Sequence, residues 1–347
     1  MSTFPSYGIV YILDFVPFSK AQSGLRFYSS RGLRGNTGSI GLQADNYELH
    51  KGHAITFDVV ASNNGAANGY MQSEGRIRIY NLSDETARTI QTRGIFNLVM
   101  DYGSLSADLT NFPIFSGSST DVRYGKTGVD RYLEFTLSSG VFVDKDKFFK
   151  KSYRKGTETI EILTDLKNYI VDTYYSYNTD VTFTGFELKP DENISYKSPQ
   201  TFAGDPLDIM ARLLPNFTIL WDRGGVFIFR KQDTEKSITS TEAVVVLKRS
   251  NGLIDVQYTS ETSGSDANTR YASVELEMVG NNNIKPNFVF QIPEGRTFIN
   301  SYSGKDNTGR DDSFYRVSEI KHTGNTFNGE WKTNIKGMLI NTNNRGL

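Results

Sequence analysis

The residues able to do chemistry are few. The chain of 347 residues holds three histidines and no cysteine. Disulfides, thiolate catalysis and Cys-ligated metals are therefore excluded. His50 and His53 stand as "HKGH" just ahead of a strand-like segment. A catalytic zinc normally takes three protein ligands, and this pair offers two with a glycine between them, so surface histidines are the better reading. "RYGKTG", Arg123 to Gly128, carries the Gly-Lys-Thr tail of a phosphate-binding loop, but Thr120 stands where that loop needs its first glycine. The stretch also lies between two strand-like segments and not ahead of a helix, so a hairpin turn is expected. "GLRGNTGSIG", Gly32 to Gly41, reads as a surface loop, with Arg34 inside it and Arg31 beside it.

Carboxylates are plentiful, but no local motif marks a pair for glycoside cleavage, which is assembled in space. The Lys and Arg residues between Lys145 and Lys155 lack the repeating aromatics of a stacking platform for single strands. A solvated linker or a protein interface suits them better. The expectation is a chain with no catalytic, cofactor-binding or metal-binding residues, no cofactor and no enzymatic activity.

The elements that would position any site are mostly strands. "HAITFDVV" puts Ile55, Phe57 and Val59 on one face. "GRIRIYNL" sets Ile77 and Ile79 against Arg76 and Arg78. "RYLEFTLSSG" sets Leu133, Phe135 and Leu137 against Glu134 and Thr136, and "YASVELEMVG" sets Val274, Leu276 and Met278 against Glu275 and Glu277. A period of two is the signature of half-buried antiparallel strands. The aromatic content of 13% also suits a pleated surface.

Helices are fewer. Ser83 is placed to cap a short one, with Asp84 and Glu85 at its positive end and Gly94 to end it. The spacing predicts a helix over Thr157–Val171, capped by Thr157, with Ile160, Leu163, Leu166 and Ile170 as its stripe. A second, near Asp205–Leu214, has Asp205 as cap, Pro206 in its first turn and Pro215 as its stop. "FTILWDRGGVFIFRK" then reads as a hairpin turning at Asp222 to Gly225. "DKDKFFKKSYRKG", Asp144 to Gly156, lacks a sustained period and reads as a linker or exposed element.

"YRVSEIKHTGNTFNGEWKTNIKGMLI", Tyr315 to Ile340, reads as a long hairpin. Gly324-Asn325 and Asn328-Gly329 favour its turn. Trp331, Thr333, Ile335 and Leu339 form its dry face, and Lys332, Asn334 and Lys336 its wet one. A phase slip between Val317 and Ile320 predicts a bulge.

A length of 347 residues suggests two or three domains. A net charge of −1 gives no strongly basic footprint for nucleic acid. The first twenty residues lack a basic leader and are interrupted by Asp14, so no secretory signal is read there and cytoplasmic folding is expected. No apolar run approaches the ~20 residues of a membrane helix. The missing export signal argues against a transmembrane barrel.

"GRIRIYNLSDETARTI", followed by "IFSGSSTDVRYGKTGVDRYLEFTLSSG", resembles the N-terminal part of the baseplate hub proteins of tailed bacteriophages, of the phage Mu and T4 type. The matching residues are Ile77, Ile79, Tyr80, Asn81, Leu82 and Ser83. "SPQTFAGDPLDIMARLLPNFTILWDRGGVFIF" resembles their helix-plus-hairpin module. "NGLIDVQYTS", "VELEMVGNNNIKPNFVFQIPE" and the closing hairpin resemble their C-terminal segment. Each motif is structural, and their order along the chain carries the resemblance.

The resemblance implies a β-rich α+β fold with two antiparallel tail-tube-like β-barrel domains, residues 1–143 and 246–347, around a mixed middle region, residues 144–245. It implies a structural hub subunit in the virion tail baseplate, assembled in the host cytoplasm. A homotrimer would present six barrels, adapt the hexameric tail tube to the trimeric central spike, and line the channel for the tape measure protein and DNA. The implied partners are the tail tube or distal tail protein, the spike, the tape measure protein and other baseplate subunits. The alternative is a tail-associated carbohydrate-binding or depolymerising β protein, since aromatic-rich β proteins often bind sugars.

Overall fold

A computed structural model describes residues 9–17, 23–29, 47–62, 70–91, 94–102, 112–139, 148–175, 181–183, 188–222, 225–230, 244–262, 270–279, 284–286, 288–293, 314–327 and 330–340. The glycine-rich loop Gly32 to Gly41 and the charged residues Asp144 to Lys147 lie outside these.

The first third holds β1 (Ile9–Pro17), β2 (Gly24–Tyr28), β3 (Tyr47–Lys51), β4 (Ile55–Ser62), β5 (Tyr70–Gln72), β6 (Glu74–Tyr80), α1 (Asp84–Ile90), β7 (Gly94–Tyr102), β8 (Phe112–Thr127) and β9 (Asp130–Ser138). The middle holds β10 (Phe149–Tyr153), α2 (Thr159–Tyr175), β11 (Thr182–Phe183), β12 (Gln200–Gly204), α3 (Pro206–Leu213), β13 (Phe217–Asp222) and β14 (Gly225–Arg230). The last third holds β15 (Val244–Val246), β16 (Leu253–Thr262), β17 (Arg270–Val279), β18 (Val289–Gln291), β19 (Phe314–Asn325) and β20 (Glu330–Leu339). The fold is β-rich α+β.

One sheet of 14 strands runs through both ends of the sequence. Its order is β16-β17-β20-β19-β4-β6-β9-β8-β7-β1-β2-β3, with β15 and β18 attached beside β19. The join between the two ends is the antiparallel pair β19–β4, in register from Glu319↔Ser62 to Asn325↔Thr56. The middle forms a four-stranded sheet, β11-β14-β13-β5, and a ribbon, β10-β12. β5 comes from the first third and lies parallel to β13.

Three apolar clusters fill the interior. The first is built on Ile55, Phe57, Ile77, Ile79, Phe96, Phe135 and their neighbours. The second is built on α2, α3, β13 and β14, with Ile95 of β7. The third is built on Leu253, Val274, Leu276, Met278, Tyr315, Ile320 and Ile335. The alternating segments read from sequence bury the residues expected of them. In β9, however, Glu134 is buried as well.

Several local expectations need correction. α1 is capped by Ser83, whose hydroxyl accepts the Thr86 amide, but it ends at Ile90, and Gly94 instead opens β7. A Cβ at Gly94 would lie 2.4 Å from the Phe15 ring, so glycine is there for close packing. α2 starts two residues later than expected and runs on to Tyr175. Its first amides are met from a distant loop: Ile194 O accepts Thr159 N–H at 3.1 Å and Asn193 Oδ1 accepts Ile160 N–H at 3.0 Å. Thr157 is not its cap. Ile160 is exposed, and Ile162 takes its place beside Leu163, Leu166 and Ile170.

α3 is as read, with Asp205 Oδ1 accepting the amides of Leu207 and Asp208, but it closes at Leu213. The stretch read as a linker contains β10, anchored by buried Phe149 and Tyr153 with three exposed residues between them. In the closing hairpin, Gly324 and Asn325 belong to β19, which is paired with β20 as far as Asn325↔Glu330. The bulge is present between Val317 and Glu319.

Candidate assembly surface

The catalytic candidates have structural places. His50 lies in β3, beside Phe27 in register. His53 Nδ1 is 3.2 Å from the Tyr80 carbonyl oxygen, which requires the proton on Nδ1, and its ring meets Phe27 edge-on. Gly125, Lys126 and Thr127 end β8, and the chain turns at Gly128 with φ +62° before Asp130 pairs back to Thr127. That is a hairpin and not a phosphate cradle. No group of three or more metal-ligating side chains occurs among the described residues. Lys150, Lys151, Arg154 and Lys155 lie on or just beyond β10, all exposed. Lys151 pairs with Asp165 at 2.6 Å.

Tyr153 donates to the same Asp165 at 2.9 Å. Burial, then the adjacent carboxylate, pushes its phenol well above the ordinary range.

The motif read as "YNLS" is a corner. Asn81 has φ 57°, a left-handed conformation that asparagine tolerates better than most residues. Its amide nitrogen donates to Asp130, and its side-chain oxygen accepts the Arg131 amide. Leu82 packs on the first core, and Ser83 caps α1. The corner thus ties the end of β6 to the β8–β9 turn.

A second junction holds the middle region to the first third. Ser73 and Ser139 are fully buried and Asp222 nearly so. Ser73 Oγ donates to Asp222 Oδ1 at 2.6 Å, and Ser139 Oγ donates to the Trp221 carbonyl at 2.7 Å. The Ser73 amide reaches Ser139 Oγ at 2.8 Å. Such a network is stable only when each polar group is answered. Sequence reading missed it, because serines more than sixty residues apart announce nothing.

Sequence reading also missed the reason for Asp14. It is the register partner of Arg26, and the two form a buried bidentate pair at 2.6 and 2.7 Å. Burial pushes the Asp14 carboxyl up against the opposing pull of Arg26.

The broadest feature is the wet face of the shared sheet. From β17 to β9 the strands carry charges that answer their neighbours. Glu277 meets Lys332 at 3.2 Å, Glu319 meets Lys336 at 3.1 Å, and Asp58 meets Lys321 at 2.9 Å. Glu134 takes Arg78 in a close pair, with Arg76 at 3.9 Å. Lys336 is pushed above its ordinary range by Glu319 and, more weakly, Glu275. Arg78 is raised by its hydrogen bond to Glu134. The Lys321–Asp58 pair spans the join between the last third and the first.

Exposed apolar residues lie largely elsewhere. Val129 is 90% exposed and Tyr124 65% exposed at the β8–β9 tip, and Ile194 is exposed beside the start of α2. Phe327, 58% exposed, stacks edge-on with Tyr80 at 4.9 Å at the tip of the closing hairpin.

No protein-family profile and no curated protein matches the chain. Solved structures do. One chain of the Francisella PdpA–VgrG complex aligns with a TM-score of 0.50 at 8% identity, over 97% of this chain and 54% of that one, so this chain spans about half its length. An E. coli protein, c3393, described as a type VI secretion component structurally similar to the T4 tail proteins gp27 and gp5, aligns at TM-score 0.48 and 11% identity over 84% of this chain and 74% of its own. A 43 kDa tail protein of prophage MuSo2 from Shewanella oneidensis aligns at 0.46 and 8% over 82% and 97%. The chain shares the fold of the matched chain in the PdpA–VgrG complex.

Proposed function

We propose that this chain is a structural baseplate hub subunit of a bacteriophage tail. Three copies form a ring that adapts a hexameric tail tube to a trimeric spike and lines the channel for the tape measure protein and DNA. The observation carrying this reading is the single sheet that runs through both strand-rich thirds, joined by β19 and β4, in a fold shared with a chain of the PdpA–VgrG complex. Each chain then contributes two sheet-built units, and three chains contribute six.

The three apolar clusters support a division into residues 1–143, 144–245 and 246–347, with the closing hairpin crossing it. The partners follow from the role: tail tube or distal tail protein, spike, tape measure protein and other baseplate subunits, with DNA in transit. Among the described residues no helix is long and apolar enough to cross a membrane. The role requires no turnover.

The test is symmetry-relaxed electron cryo-microscopy of tails containing the chain. Three copies at the tail end, each contributing two barrels to one ring, are expected. Six copies per ring, or one barrel per chain, would overturn the reading. Cleavage of host glycans by the purified protein would favour a depolymerase instead.

A further inference from the structure

Two kinds of cation stand on the strands of this fold. Lys321, Lys332 and Lys336 on the long sheet each meet a carboxylate, and so does Lys151 in the middle region. Lys150, Arg154, Lys155 and Lys197 are exposed and meet none among the described residues. These four gather on one small element, the ribbon of β10 and β12.

The ribbon has two unlike faces. Phe149, Lys151 and Tyr153 alternate on one. There Phe149 packs edge-on against Tyr169 of α2, and Lys151 and Tyr153 both reach Asp165 of the same helix. Lys150, Ser152 and Arg154 alternate on the other. Small residues stand opposite them in register, Ala203 to Lys150 and Thr201 to Ser152. The hydroxyls of Ser152 and Thr201 lie 2.9 Å apart, bonded to each other. Phe148, 49% exposed, precedes the strand on the same alternation. Lys197 joins the far end, because the Tyr196 carbonyl just before it accepts the Gly156 amide at 2.9 Å. The outer face is therefore a low strip set between unpaired cations, with an aromatic ring at one end.

Among the described residues β10 pairs only with β12, so its second edge keeps open backbone groups. Such an edge is a template for another strand. Lysines along it repel a like-charged strand and favour an acidic one. A strand added there sets its side chains about 4.5–5.5 Å from those directly opposite, so carboxylates at alternate positions would face Lys150 and Arg154. Nucleic acid suits the strip less well. One ring is not a row of stacking platforms, and a phosphate backbone makes no use of an open strand edge.

We propose that the free edge and outer face of β10 bind an extended acidic segment of a partner protein by strand addition. Alternate carboxylates of that segment pair with Lys150 and Arg154, and an apolar side chain packs on Phe148. This binding needs no ring and is independent of the hub reading.

Fluorescence anisotropy of the purified chain with a labelled short peptide, alternating Thr and Glu with Leu at one end, tests it. Saturable binding is expected at about 50 mM salt, weaker at about 200 mM. Lys150→Glu/Arg154→Glu, checked for an unchanged circular dichroism spectrum, should weaken it by about tenfold or more. Phe148→Ser should weaken it less and leave its salt dependence unchanged. Lys126→Glu/Arg131→Glu, at the β8–β9 turn, should bind as the native chain does. No binding by the native chain, or equal loss in both charge-reversed variants, would overturn the proposal. The same peptide with its glutamates in one block should bind more weakly, and equal binding would show bare charge attraction in place of strand addition. Oligothymidylate bound more tightly than the peptide, and released by Lys150→Glu/Arg154→Glu, would assign the strip to nucleic acid instead. Hydrogen exchange gives an independent reading: bound peptide should slow the β10 amides, and unchanged exchange there would sink the idea.

Discussion

The two ends of the closing hairpin belong to different interiors. At its base, Tyr315, Val317, Ile320 and Ile335 pack in the last-third cluster with Leu276 and Met278. At its tip, Trp331 packs in the first-third cluster with Ile55, Phe57 and Ile79. Between them lies the buried register pair His322↔Thr333, whose His322 Nδ1 and Thr333 Oγ1 are 3.0 Å apart. The tip is tied down further. Thr326 N–H donates to the Ile55 carbonyl at 3.1 Å, and Ile55 N–H donates to Thr326 Oγ1 at 2.9 Å. The difference shows why the hairpin is long: it is a shared wall that fixes one strand-rich third to the other.

The strongest way to break this comparison is Trp331→Ala. It should lower stability by about 3–5 kcal/mol, and a double-mutant cycle should couple it to Phe57→Ala. Ile335→Ala should lose about 2–5 kcal/mol and couple instead to Leu276→Ala. Denaturant unfolding that finds Trp331 coupled to Leu276 and indifferent to Phe57 would show that the tip is not part of the first core.

Thr326→Val keeps the shape of the side chain but removes the acceptor for the Ile55 amide. A loss of about 1–3 kcal/mol is expected, with faster hydrogen exchange at Ile55 and not at the hairpin base. Uniform exchange along β19 would contradict a locally fastened tip.

Smaller still is Lys321→Gln, which breaks the pair crossing from β19 to Asp58 of β4. Both partners are partly exposed, so the loss should be at most about 1 kcal/mol and should shrink with added salt. A salt-independent loss would mean packing rather than charge. Lys336→Gln, at the base, is the mildest. Glu319 raises the Lys336 ammonium above its ordinary value, so its contribution is complete below that value and fades only as pH rises through the folded one. Its small effect should therefore be constant from neutral to mildly alkaline pH, as thermal melts across that range would show.

How much of this was legible depends on how local the cause is. α3 was read nearly to the residue because Asp205, Pro206 and Pro215 sit beside the turns they govern. α2 was misread at its start because its amides are met by Asn193 and Ile194, more than thirty residues away. β10 was missed because two buried aromatics enclose exposed lysines and a serine, which blurs the period. The alternating lysines and glutamates were legible as a wet face. Their mutual pairing was not, since strand order is needed to place Lys321 beside Asp58. The Ser73–Ser139–Asp222 junction is the extreme case, three polar residues far apart along the chain with no pattern in sequence.

The pairing of β4 with β19 also has a consequence in time. Roughly 250 residues separate these strands, and a ribosome adds about 5–20 residues each second. For on the order of tens of seconds, then, the nascent first third holds β4 with an unclaimed edge and a core lacking its tryptophan. An edge in that condition can recruit strands from neighbouring polysomes. Its protection during synthesis falls to whatever binds nascent chains, until β19 emerges and takes the place.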